Sequence, residues 1–293
     1  MRGFQGYHPA ILFLYYALLL LLSLLTMQPV LLLCSLFGAF LLYAALFGIR
    51  EMLPDLVFYA LLFVLLAVIN PLVVHDGETV LFFLNGKAIT KEAIAYGGAG
   101  SLVMITVVVW SACYTELLTT DKILFLFGKA LPKLGLILSM TFRFIPLFQK
   151  QADRIGQVQR TMGLYNGKNL KQRFGGAYRT FDSLLTWSME NSIDTADAMK
   201  ARGYGLRGRS SFSVFRFRLR DGKMLALMLL LSGIVLIGAG KGNMDFYFYP
   251  HLAEIETGAE AFVYYLAMLL LCCIPGFCEW KESLSWNYLK SKI

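Results

Sequence analysis

From Pro9 to Phe47 the chain carries no charged side chain, and Met27-Gln28-Pro29 interrupts the run in its middle. A helix needs about 20 apolar residues to cross a bilayer. The run therefore predicts two spans, 9–26 and 29–47, joined as a tight hairpin. It is too long for a cleaved signal peptide and contains no A-x-A site. Further apolar runs predict spans at 53–70, stopping at Asn70-Pro71, and at 93–115, 223–240 and 259–278. The fourth span holds Gly97, Gly98 and Gly100, small residues that let neighbouring helices approach closely.

The pattern changes between spans four and five. After a short apolar piece, Ile123 to Leu131, an apolar run from Leu134 to Phe148 contains Arg143 and Pro146. It is short for a full crossing, which predicts burial against other helices or partial insertion. Phe148, Ala152, Ile155, Val158 and Met162 then recur at three and four, opposite Lys150, Asp153, Arg154, Gln157 and Arg160. That spacing is one face of a helix, ending at Gly163 as a C-cap would. Gly167 to Gly176 reads as a polar, basic link. A second amphipathic helix carries Phe181, Leu184, Leu185, Ser188, Ser192, Ile193 and Ala196 on one stripe. Its other stripe is Asp182, Thr186, Glu190, Asp194 and Asp197. It finishes at Ala201-Arg202-Gly203-Tyr204-Gly205, with an Arg at its tip.

Composition and charge then orient the chain. Of its 293 residues 57% are hydrophobic and 16% charged, and the mean hydropathy is +0.61. These values argue against a soluble globule and against disorder. Segment 149–223 holds 15 Lys and Arg against 6 Asp and Glu, a net +9, so the rest of the +8 chain nets −1. By the positive-inside rule this segment and both termini are cytoplasmic, while 71–92 and 241–258 face outward. The expected organisation is a four-span domain (1–115), a cytoplasmic or interfacial region (116–222), and a two-span segment with a cytoplasmic tail (223–293). The fold class is an all-α polytopic membrane protein of about six transmembrane helices, with a cytoplasmic pair of amphipathic helices.

Little in the chain suggests chemistry. Cys34, Cys113, Cys272, Cys273 and Cys278 lie in or beside apolar runs without metal-ligand spacing, and His8, His75 and His251 are far apart. No cofactor is expected. The amphipathic pair reads either as helices lying on anionic lipid or as a platform for cytoplasmic partner subunits. The acids on the second helix weaken the lipid reading.

Arg143-Phe144-Ile145-Pro146, then Gln159-Arg160-Thr161-Met162-Gly163-Leu164, then Ala198-Met199-Lys200-Ala201-Arg202-Gly203-Tyr204 stand in that order. In this the chain resembles the transmembrane T component of energy-coupling factor transporters, the family that includes the cobalt transporter's membrane subunit. The resemblance implies a non-catalytic scaffold in a prokaryotic cell membrane. Such a scaffold joins two cytoplasmic ATP-binding-cassette ATPases to a substrate-binding membrane S component, whose substrate is a vitamin or transition-metal ion. It also implies that two Arg-centred motifs end the coupling helices, each docking on one ATPase. Carried onto this chain, the second motif is Ala201-Arg202-Gly203. The first is Thr161-Met162-Gly163, with Met162 where the family has Arg. Arg160, Arg143 and Pro146 are supporting candidates.

Other function classes find less in the sequence. A membrane prenyltransferase needs paired acidic motifs to hold Mg²⁺, and only Asp194-x-x-Asp197 has the spacing. The chain has no P-loop pattern, so any ATPase is a separate chain. Its basic segment has no aromatic platform for nucleic acid.

Overall fold

Pro9 and Pro29 each open a helix, at the position where a missing N–H and a preset φ suit the first turn. The computed structural model describes residues 3–84, 87–163, 170–206, 215–242, 244, 246–256 and 258–290. Helix α1 is Pro9–Leu25 and α2 is Pro29–Phe47, followed at Gly48 (φ 87°) by α3, Ile49–Val73. An antiparallel pair, β1 (Val80–Leu84) and β2 (Lys87–Thr90), precedes α4, Lys91–Leu117. Then come α5 (Thr120–Ala130), α6 (Pro132–Thr161), α7 (Leu170–Ala201), α8 (Leu219–Gly240) and α9 (Ala259–Lys290). The chain forms two units, one of Met1–Ile123 with Phe215–Ile293, the other of Leu124–Val214.

The first unit is the membrane unit. Helices α2, α3, α4, α8 and the first 28 residues of α9 are long and apolar enough to span a bilayer, and α1 is a shorter apolar helix of 17 residues. Its core is the seam where α2 meets α9 and α4. Leu31, Ser35, Gly38 and Leu42 of α2 recur at four and three and are fully buried. A Cβ added at Gly38 would come within 2.8 Å of the Cys272 carbonyl oxygen in α9. Hydrogen bonds inside the apolar seam tie helices together, since hydrocarbon offers polar groups no partner. Trp110 Nε1 donates to Ser35 Oγ (3.2 Å), which also bonds Ser23 Oγ (2.9 Å), and the Tyr15 hydroxyl donates to the Leu271 carbonyl (2.8 Å).

Several sequence expectations need correction. Helix α3 runs through Pro54 and Pro71 instead of stopping at Asn70. Pro71 cannot donate to the Ala67 carbonyl, four residues back, and Gly97 of α4 lies against that same oxygen. A Cβ at Gly97 would sit 2.8 Å from it. Gly98 and Gly100 face open space, so of the three glycines only Gly97 serves close approach. The segment expected as an outer loop holds the β-pair. Thr90 caps α4 by accepting from the Ala93 N–H (3.3 Å), and Glu92 binds the Thr79 hydroxyl (2.6 Å). Helix α9 continues to Lys290, so most of the tail expected from residue 279 is the end of the same helix.

The second unit is built on α6 and α7. Helix α6 is continuous across Pro146, and α7 begins at Leu170, so residues 170–176 are helical instead of a link. Lys171, Gln172 and Arg173 are good helix formers, which overrides the local glycines. Residues 164–169 lie outside the described chain. Of the two expectations for the apolar run 134–148, burial against other helices fails at Leu134, Ile137, Phe142 and Ile145, which are exposed within the chain, and partial insertion is untouched by this.

Candidate functional site: two helix tips

Helices α6 and α7 run antiparallel. Phe148 meets Trp187 edge-on with ring centroids 5.8 Å apart, and further along α6 Gln159 accepts from the Thr180 hydroxyl (3.3 Å). The packed face of α6 is therefore Phe144, Phe148, Ala152, Ile155 and Gln159. Val158 and Met162, placed on that face by their apolarity, are 51% and 69% exposed. On α7 the packed residues are Thr180, Leu184, Trp187, Asn191 and Thr195. Of the expected stripe, Leu184, Ser188 and Ala196 are half-buried, while Phe181, Leu185, Ser192 and Ile193 stand exposed.

Both helices end at a left-handed glycine. In α7 the Gly203 N–H donates to the Lys200 carbonyl (2.9 Å) and the Tyr204 N–H to the Met199 carbonyl (3.0 Å). Those two bonds make a complete Schellman motif with Gly203 at the left-handed position, φ 82°. Arg202 is the C-cap. In α6 the Gly163 N–H donates to the Arg160 carbonyl (3.0 Å), and Gly163 has φ 74°. Met162 is the C-cap there. Met162 and Arg202 thus occupy the same position of the same turn. An L residue with a side chain is strained at such a φ, which is why each tip needs its glycine.

The remaining candidates lie on the same two helices, some of them far from the caps. Thr161 turns its hydroxyl back onto the Val158 carbonyl (2.8 Å), and Ala201 is the last residue of α7. Arg160 lies in the last turn of α6, where a cation is favoured by the helix dipole. Arg143 and Pro146 are exposed on α6 well away from its tip. Arg202 is exposed beside Met199, Gly203 and Tyr204, which line a shallow hollow. Asp197 pairs with Lys200 (3.4 Å) on the exposed surface, and among the described residues no three His, Cys, Asp or Glu are grouped to hold a metal ion.

Because the helices are antiparallel, their C-terminal tips point to opposite ends of the pair. From Thr180, level with Gln159, α7 rises about 32 Å to Ala201, while α6 adds only about 3 Å to Thr161. The caps are therefore too far apart to enter one groove. Sequence reasoning missed this separation, because nothing in spacing along the chain shows which residues of two helices lie side by side. It also missed Gln159 and Thr180 as the pair that sets the crossing.

A family model described as CbiQ, cobalt transport protein, matches residues 7–213. Over 187 residues the chain is 26% identical to the energy-coupling factor transporter transmembrane protein EcfT 1 of Listeria monocytogenes serotype 1/2a, covering 59% of this chain and 70% of that protein. It is 31% identical over 118 residues to the EcfT of Lactobacillus helveticus, covering 40% of this chain and 43% of that protein. With the EcfT of Lacticaseibacillus paracasei it shares 31% over 107 residues, 36% of this chain and 40% of that one. The family match takes in α1 to α7 and both helix tips, and it covers well over half of the 293 residues. On that extent the chain belongs to the CbiQ family of membrane transport proteins.

Proposed function

We propose that this chain is the T component of an energy-coupling factor importer: a scaffold that hydrolyses nothing and carries ATP-driven motion into the membrane. In this reading Arg202 and Met162, each with its flanking residues, dock on two cytoplasmic ABC ATPases. The membrane unit holds a substrate-binding S component that takes up a vitamin or a transition-metal ion. The complex resides in the cell membrane, with both termini and the 149–223 segment inside. Residues 1–115, 116–222 and 223–293 act as entry spans, coupling region and closing spans.

The observation that carries the reading is the pair of matched caps at opposite ends of one helix pair. A scaffold that must hold two ATPases at once needs two contact points, rigidly linked and too far apart for one groove. A guanidinium at such a tip offers a planar fork of donors to a carboxylate.

The test is affinity purification of the tagged chain, co-expressed with its native operon partners, from detergent-solubilised membranes. Two ATPase chains should elute with it, and ATP hydrolysis should follow them. Mg²⁺-dependent turnover of a lipid diphosphate by the chain alone, with no ATPase bound, would refute the scaffold.

A further inference from the structure

The 124–214 unit is joined to the membrane unit at two places, after Ile123 and before Phe215. The chain itself carries motion between the two units only along those joints. Beside them lies the short turn Phe4–Gly6, which is tied to several elements of the membrane unit. The Phe4 side chain is fully buried and meets Tyr15 edge-on at 5.4 Å. The Gln5 N–H donates to Glu279 Oε1 of α9 (3.0 Å). The Gln5 carbonyl accepts from Lys122 Nζ (3.0 Å), and the same ammonium donates to the Leu117 carbonyl at the end of α4 (2.7 Å). The Gly6 carbonyl accepts from Arg220 Nη2 (2.9 Å), and the Arg220 guanidinium lies 4.5 Å from the Tyr7 ring centroid. His8 packs edge-on against Phe217 at 5.6 Å.

We infer that residues 4–8 are a clasp that locks the two joints together, with Lys122 and Arg220 as its positioning residues. Lys122 lies next to the last residue before the 124–214 unit, and Phe217 and Arg220 lie within one or two turns after it. One backbone segment holds both. Lys122 is only 7% exposed, and its charge is held by two carbonyls, one from the turn and one from α4. A buried ammonium is costly unless it is hydrogen-bonded, so this contact is specific instead of a loose surface pairing. Without the clasp, α5, which carries the chain through the first joint, and the segment leading into α8 at the second move independently, and displacement of the helix pair is absorbed between them. With it, the displacement reaches α4, α8 and α9 as one movement. This role rests on the proposed scaffold function, whereas the clasp itself is a property of the membrane unit alone.

Two measurements separate the two layers. The first is hydrogen exchange of the chain in lipid nanodiscs, with Lys122→Met, Lys122→Arg and Arg220→Gln beside the wild type. Lys122→Met keeps the apolar stem and removes the donors. It should raise exchange tenfold or more in the peptides covering 3–8, 118–124 and 215–222, with α2 unchanged, and Lys122→Arg should restore protection. Arg220→Gln, altered at the exposed end of the clasp, should loosen 3–8 and 215–222. Unchanged exchange in all three peptides for both variants would overturn the clasp.

The second is uptake per ATP hydrolysed by the whole transporter in proteoliposomes. Lys122→Met should keep both ATPases bound and hydrolysis near the wild-type rate, while uptake per ATP falls at least fivefold and Lys122→Arg recovers it. An unchanged ratio in an intact complex would overturn the transmitting role. A wild-type chain that binds no ATPase would instead overturn the scaffold reading and the transmitting role with it, and the exchange result would still decide whether the clasp exists.

Discussion

At the scale of single residues, Arg202 and Met162 present a matched comparison. Both cap a helix, both are followed by a left-handed glycine, and both are exposed. They differ in what a partner can do with them. Arg202 can make charge-assisted bonds to an acidic groove, and Met162 offers only dispersion and apolar burial. Removing one partner of a buried charge pair costs about 2–5 kcal/mol, or roughly 30- to several-thousand-fold in affinity. Arg202→Ala is expected to lose an ATPase from the tagged chain without changing the melting of the membrane unit. Met162→Ala is expected to lose less, with little dependence on salt. Retention at low and high salt measures both, and equal, equally salt-sensitive losses would contradict the asymmetry. Arg160→Ala belongs in the series, because Arg160 sits in the same last turn. The tip residues were legible in the sequence because glycine after an amphipathic run signals a C-cap, whatever the tertiary context. The packed face of α6 was not. Apolarity put Val158 and Met162 on it, whereas polar Gln159 occupies it because α7 supplies Thr180 as a partner.

At the scale of elements, helix pairs are positioned by a few close approaches, and these give sharper predictions than the apolar runs themselves. Gly97→Ile should destabilise the packing of α4 on α3, because its Cβ alone would press on the Ala67 oxygen and on Asn70. Overpacking costs about 1–3 kcal/mol. Gly98→Ile, one residue on and facing open space, should change stability by no more than about 0.5 kcal/mol. Thermal melts in detergent compare the two. In α7, Trp187→Ala should lose about 2 kcal/mol, roughly half the loss for a fully buried ring, since it removes the contact with Phe148. Leu185→Asp, at 44% exposure, should leave the isolated chain's melting within about 0.5 kcal/mol. The sequence has Leu185 on the apolar stripe of the second amphipathic helix, and within the chain it stands exposed. Spans were legible because hydrocarbon thickness forces long apolar runs. The β-pair has only the Asn85-Gly86 dipeptide as its sequence signal, because strands of five and four residues are too short to stand out beside apolar runs of span length. The glycines show the same limit, since a sequence shows three small residues in one helix but not which of them faces a neighbour.

At the scale of the whole molecule, the proposed scaffold requires that both helix tips lie on the side where ATP is. The proposed orientation rests on charge. The 149–223 segment carries a net +9 and the remainder −1, and Lys and Arg near the ends of spans are retained on the cytoplasmic side. Helix α9 adds an independent measure of depth. Its 32 residues rise about 48 Å, well beyond the roughly 30 Å of hydrocarbon, so one end must project. Lys281 and Lys290 lie toward its C-terminal end, and Trp280 and Trp286 are 55% and 53% exposed there. Aromatic rings of this kind gather at the headgroup level, and the proposed orientation puts this C-terminal end on the cytoplasmic side. Reporter fusions at His75, Leu206, His251 and Lys290 should therefore read out, in, out and in. A cysteine placed at Ser285 of a cysteine-free variant should react with a membrane-impermeant maleimide only from the cytoplasmic side, in inside-out vesicles and not in intact cells. Cys34, Cys113, Cys272, Cys273 and Cys278 must be replaced first, and their burial in whole or part makes Ser or Ala the replacement of choice. An external signal at Leu206 would be decisive against the scaffold. Arg202, four residues before it and in the same terminal turn, would then face away from every ATPase the cell contains.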